Sequence, residues 1–189
     1  MHESDNNERR EEILHVAADL FSSRGYKATS IRDVADKVGI LAGSLYHHIR
    51  SKETLFLEVH GLVLARDGRR LRDAVAKFDR PWDRLEALCI ALATASLDSS
   101  TTAFNIMIDY EDMPDGMKNE LHAQREAFYS LISDTIKEVD LDASVDRDML
   151  VIFVKSVYHN LAKDGEFGGG QADEAGRKIF SIINRCRAS

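Results

Sequence analysis

Proline is nearly missing from this chain: two occur in 189 residues, at positions 81 and 114. A sequence with so few breakers, in which alanine, leucine, glutamate and arginine recur, favours helices. Cysteine is as scarce. Cys89 and Cys186 suggest no disulfide framework, and no Cys/His spacing of a zinc module is present. Long apolar runs are also lacking. The longest, "LEALCIALATASL" (85–97), is too short to span a bilayer, and the opening "MHESDNNERR" has no apolar core of a secretory signal. No repeat or low-complexity tract occurs. The expectation is a cytoplasmic, all-α protein with reduced thiols, without membrane attachment, cofactor or metal. What is present supports a packed core: 44% hydrophobic and 30% charged residues, in a length suited to one large or two small domains.

The net charge is −7, which argues against coating nucleic acid along the whole surface. The acidity is unevenly spread. From residue 24 to 52 the charges are Arg24, Lys27, Arg32, Lys37, Arg50 and Lys52 against only Asp33 and Asp36. A local basic patch acts over a Debye length of roughly 8 Å, so the rest of the chain does not cancel it.

Periodicity predicts four helices in this region. Ile13, Val16, Ala17, Leu20 and Phe21 form one face of the first, closed by Arg24 and Gly25. Thr29 or Ser30 caps a short second helix with Ile31, Val34, Ala35 and Val38 inward, and Gly39 ends it. Leu41, Leu45 and Ile49 are the expected buried stripe of a third. Ser51 caps a fourth with Leu55, Val59, Leu62 and Val63 inward. Two short helices over 30–49, joined at a glycine, make a helix-turn-helix, whose second helix enters the DNA major groove. Its outer face would show Ala42, Gly43, Ser44, Tyr46, His47 and Arg50. Small residues at 42 and 43 permit close approach. Ser44, Tyr46 and Lys52 suit phosphates, and His47 suits a base edge or a phosphate; Thr29 and Arg32 complete the candidate DNA-binding set. His47 and His48 are adjacent, so they diverge on a helix and do not make a metal pair.

The run "YKATSIRDVADKVGILAGSLYHHIRSKETLF" (26–56) resembles the TetR family of bacterial transcriptional regulators. The "TSIRDVA" entry, the glycine turn, "GSLYHH" and "SKETLF" fall in order at that family's spacing. The resemblance implies a homodimer with an N-terminal DNA-binding domain (8–54) and a helical effector-binding and dimerisation domain (55–189). One departure is Leu41, where many members carry a serine or threonine cap. The wording "GILAGSLYHH" looks like the branch that controls lipid, steroid or aromatic-acid breakdown and responds to acyl-CoA thioesters.

Beyond residue 64 the fourth helix is expected to run toward Phe78, with a break at 79–81 and Pro81 opening an apolar helix. Helices over about 117–139, 146–163 and 172–187 follow. The glycines at 168–170 lack the lysine-serine ending and preceding strand of a phosphate loop and read as a linker. Asp109, Glu111, Asp112 and Asp115 read as solvated charges at a helix end. Pliable bulk marks the candidate effector pocket: Leu92, Phe104, Met107, Ile108, Tyr110 and Phe128. Broad apolar faces in "DMLVIFVKSVYHNL" and "GRKIFSIINRCR" place the dimer interface at Val151, Val154, Tyr158, Ile179, Ile182 and Ile183. No nucleophile–base–orienter arrangement is legible. The expected function is a repressor that binds a palindromic operator in double-stranded DNA and is released by a small organic, apolar or acyl-type effector. The rival is an all-helical enzyme or small-molecule carrier, which would show no salt-dependent DNA binding.

Overall fold

The computed structural model describes residues 2–97, 113–161 and 169–188. Among them the fold is all-α. In chain order the helices are α1 (His2–Ala28), α2 (Ile31–Val38), α3 (Ala42–Leu45), α4 (Lys52–Val75), α5 (Pro81–Leu97), α6 (Asp115–Lys137), α7 (Arg147–Leu161) and α8 (Ala172–Ile183). One isolated bridge, Leu141 to Arg187, is the β-type pairing seen among the described residues. No helix among them is long and apolar enough to cross a membrane.

The chain forms two compact units. Besides the residues up to Val63, packing recruits 113–124 to the first. Its core joins Ile13, Ala17, Leu20 and Phe21 of α1 to Val34, Ala35 and Val38 of α2, and Met113, Met117 and Leu121 close it. Aromatic edges lock α1 to α4: Phe56 meets Phe21 and Tyr26, each at 5.0 Å between ring centres. The break expected at Gly25 is real, because that residue adopts φ 78°, ψ 169°, which a side chain would resist. Ser30 is the cap of α2. Its hydroxyl accepts from the Asp33 amide while the Asp33 carboxylate takes the Ser30 amide, a reciprocal pair. Ser51 and Thr54 exchange the same two bonds at the head of α4. Gly39 takes the left-handed conformation, φ 77°, and its amide returns to the carbonyls of Ala35 and Asp36.

Two expectations fail here. Leu41 is not in the buried stripe; it precedes α3 in extended conformation and is 79% exposed, whereas Leu45 and Ile49 are buried as foreseen. Leu62 also faces solvent, and Phe56 and His60 take the inner positions of α4 with Leu55, Val59 and Val63. His60 Nδ1 lies 2.7 Å from Gln124 Oε1 of α6.

In the second unit α5 packs against both α7 and α8. Pro81 opens α5, as the sequence suggested. The Tyr158 hydroxyl donates to the Cys89 carbonyl at 2.8 Å, and burial pushes the Cys89 thiol up to about 12, so it stays protonated. Arg147 donates to the carbonyls of Ile136 and Val139, closing the end of α6. The glycine linker reading is revised in part: Gly169–Gln171 is a 3-10 turn leading into α8, which ends at Ile183 before a second such turn, Asn184–Cys186.

The contact of α5 with α8 is close because Gly176 has no side chain. A Cβ there would stand 2.5 Å from Ile90 Cα and 2.9 Å from the Cys89 carbonyl oxygen, both backbone atoms that cannot swing aside. Gly176→Ala should therefore cost about 1–3 kcal/mol or more. Gly116, in the first turn of α6, has open space around the same position, so Gly116→Ala should be neutral or stabilise by up to about 1 kcal/mol. Denaturant melts of the two variants check this. Equal midpoints would refute the close approach.

Candidate nucleic-acid interface and ligand groove

The first unit presents a helix-turn-helix. α2 ends in the left-handed Gly39 turn, and the single helical turn Ala42–Leu45 follows after two residues. The helix expected to reach Ile49 continues there as bonded turns, with the amides of His48 and Ile49 both returning to the Leu45 carbonyl (2.9 and 3.1 Å). Leu45 and Ile49 anchor this element inward. Outward stand Leu41, Gly43, Tyr46 and His47, with Ala42 and Ser44 half-buried beside them, and Arg32 is exposed on α2.

Thr29 leaves the candidate set. It is buried, and its hydroxyl donates to the carbonyls of Gly25 (2.9 Å) and Leu20 (3.2 Å), tying the end of α1 down. Lys52 is half-buried, its ammonium 4.1 Å above the Tyr26 ring. Burial holds its pKa below the usual lysine value, with Glu53 and Asp33 opposing. The Tyr26 hydroxyl donates to Glu53 at 3.1 Å, and burial with that carboxylate pushes the phenol up to about 12. Sequence reasoning missed this trio, because residues 26 and 52 belong to different helices and no periodicity links them.

Gly43 is the informative position. It has no left-handed backbone, and a Cβ built there would meet nothing within 4 Å. Neither conformation nor packing inside the protomer requires glycine, yet glycine in a helix costs about 1 kcal/mol relative to alanine.

The second unit carries a largely apolar groove of about 560 Å³, within the range of small-molecule sites. Ala74 and Phe78 form one wall; Ala87, Ile90, Ala91 and Thr94 of α5 form the other, and the cations of Arg70, Lys77 and Arg177 stand with the carboxylates of Asp83 and Glu86 at its rim. Arg177 is paired with Glu86 at 2.9 Å. Two residues expected at the pocket do not border this groove: Leu92 has no exposed surface and Phe128 almost none. Phe104, Met107, Ile108 and Tyr110 lie outside the described residues. The signal available was a second stripe on α5, at 87, 90, 91 and 94, with smaller residues than the 85, 88, 89 and 92 stripe.

The interface candidates divide likewise. Val154, Tyr158, Ile179 and Ile183 are buried within the protomer, so their side chains have nothing left to offer a partner. Val151 is half-buried and Ile182 is 54% exposed. The neighbouring exposed apolar residues are Met149, Ile152 and Phe153, at i, i+3 and i+4 on α7. Among the described residues no group of three His, Cys, Asp or Glu side chains could hold a metal ion.

A capped short helix, a left-handed glycine and a second short helix seated on α1 and α4 define a DNA-binding helix-turn-helix protein by class. Comparison with known proteins makes the class specific. Residues 13–59 match the family model of the bacterial regulatory proteins of the tetR family. The HTH-type transcriptional repressor KstR2 of Mycobacterium tuberculosis is 31% identical over 187 residues, covering 94% of this chain and 92% of that protein. The solved structure of the ketosteroid transcriptional regulator KstR2 of Mycobacterium tuberculosis matches with a TM-score of 0.74 at 25% identity, over 93% of this chain and 92% of that one. AibR, solved in complex with isovaleryl coenzyme A and operator DNA, shares the fold with a TM-score of 0.78 at 19% identity, over 92% and 97%. The chain belongs to the TetR family of bacterial transcriptional regulators.

The cap of α2 yields a test. Accepting from the Ser30 hydroxyl and amide holds the Asp33 carboxyl below its usual range. Its folded pKa is depressed, so its stabilising contribution is present above the ordinary carboxylate value and fades as pH falls through the folded one. Ser30→Ala should cost about 1 kcal/mol near neutral pH and return the Asp33 titration, followed by NMR, toward the ordinary value. An unchanged Asp33 titration would mean that the capping pair is not formed in solution.

Proposed function

We propose that this protein is a homodimeric, ligand-responsive repressor that binds a palindromic operator and is released by a small organic effector of apolar or acyl type. The observation that carries the DNA-binding part is Gly43: a helix residue that costs stability, meets nothing inside the protomer and stands among exposed hydrogen-bonding side chains. A phosphate-sugar ridge or a base edge brought close to the backbone explains its absence of side chain. Tyr46 and Lys52 are assigned to phosphates, and His47 to a base edge or a phosphate; Arg32, Ala42 and Ser44 complete the surface.

Two copies would join through apolar side chains that stay exposed among the described residues, Met149, Ile152 and Phe153 of α7 and Ile182 of α8. A two-fold dimer would then set two reading helices roughly 34–36 Å apart in successive major grooves. The effector would occupy the α4–α5 groove. Arg70 and Ala74, on its wall, belong to the same continuous helix that begins at Lys52. Filling the groove would shift that helix, and a coupling of about 1–3 kcal/mol lowers DNA affinity several-fold to about a hundredfold. KstR2 is described as a repressor and as a ketosteroid regulator, which supports repression and the lipid, steroid or aromatic-acid branch; AibR was solved with isovaleryl coenzyme A, which supports an acyl-type effector.

Selection from random duplexes should enrich a palindrome. On it, Gly43→Ala should weaken binding while raising the melting midpoint, and Lys52→Ala should weaken binding on every sequence and lower the salt slope by about one unit. No enriched palindrome, or unchanged binding by Gly43→Ala, would sink the DNA reading.

The groove has its own test. Ile90→Trp should fill it with little loss of stability, leave operator binding intact and abolish release by acyl coenzyme A probes such as isovaleryl coenzyme A. If the variant still responds as the parent does, the effector does not lie in this groove.

A further inference from the structure

Leu41 is the most exposed large apolar side chain of the described residues, 79% exposed at the entrance to the reading helix. It adopts extended backbone (φ −69°, ψ 142°) and makes no side-chain bond to the helix it precedes. Serine, threonine, aspartate or asparagine at that place would satisfy a free amide and stabilise the helix by about 1 kcal/mol. Leucine forgoes this and leaves its isobutyl group in water. The helix gains nothing from it, and the core gains nothing either, because Leu45 and Ile49 already fill the inward positions.

The surroundings choose the occupant. The segment 24–52 holds six cations and two carboxylates, which suits a polyanion and not an apolar protein face. Ala42 and Gly43 follow directly and offer little bulk of their own, so Leu41 is the large apolar side chain exposed at this end of the helix. A major groove presents one apolar group to such a side chain, the 5-methyl of thymine, and residues at the start of the reading helix are the ones that reach base edges.

We propose that Leu41 is a specificity-determining residue of this protein: its side chain packs on the 5-methyl group of one thymine in each operator half-site. This rests on the DNA-binding reading above. It adds an apolar readout that is independent of the hydrogen bonds available to Tyr46 and His47.

Replacing thymine by deoxyuridine removes that methyl and nothing else. In the duplex enriched by selection, each thymine of one half-site is replaced in turn, and the dissociation constants of the parent, Leu41→Ala and Leu41→Ser are measured at fixed salt. One position should weaken the parent about three- to tenfold, as burying one methyl or slightly more implies. At that position both variants should bind thymine and deoxyuridine duplexes equally. Leu41→Ser restores a capping oxygen, so its loss of discrimination cannot be put down to a damaged helix. If every deoxyuridine duplex weakens the variants as it weakens the parent, or none weakens the parent, Leu41 does not read a methyl group, although the protein still binds DNA. Failure of the parent to bind any duplex in a salt-dependent way would instead overturn the DNA-binding reading itself.

Discussion

The reading surface depends on a backbone that turns left-handed at Gly39. That single residue, at φ 77°, lets α2 stop and α3 start two residues later while the Gly39 amide still finds the carbonyls of Ala35 and Asp36. Any side chain there would be strained, whatever the space around it. The turn fixes which residues of the second helix point inward. Leu45 and Ile49 are drawn into the core of α1, α2 and α4, and Gly43, Tyr46 and His47 are left outside. Without the turn, Gly43, Tyr46 and His47 would have no common face.

Stability and function pull apart at this surface. Inside the unit, every local device supports the fold: two reciprocal caps, three aromatic rings in edge contact, and a buried threonine that ties down the end of α1. At the reading helix the devices stop. It is one turn long, has no side-chain cap, contains a glycine that packing does not need, and exposes a leucine. Local rules broken together at one place, in an otherwise consistent fold, mark where an outside partner supplies the missing contacts.

Much of this was legible in the sequence. Gly25, Ser30, Gly39 and Ser51 punctuate the chain where the structure bends or caps it, since these residue types act through their own backbone or a bond three residues away. Leu41 was misread because position 41 is in phase with 45 and 49, and periodicity holds only inside a helix; an extended cap residue escapes it. The helices α7 and α8 are apolar on two sides, and spacing alone does not say which side the protomer uses. Val154, Tyr158, Ile179 and Ile183 went to its own core, and Ile152, Phe153 and Ile182 did not. Leu92 was chosen for the pocket by bulk, whereas the groove follows the smaller stripe of α5, where small residues leave room.

The central claim is that two copies of this surface grip one duplex symmetrically. Hydroxyl-radical footprinting of the purified protein on its selected duplex tests it most directly. The account predicts two equivalent protected segments related by the two-fold axis, about 10–10.5 base pairs apart centre to centre or a multiple of that. A single asymmetric segment, or uniform protection independent of sequence, would contradict it.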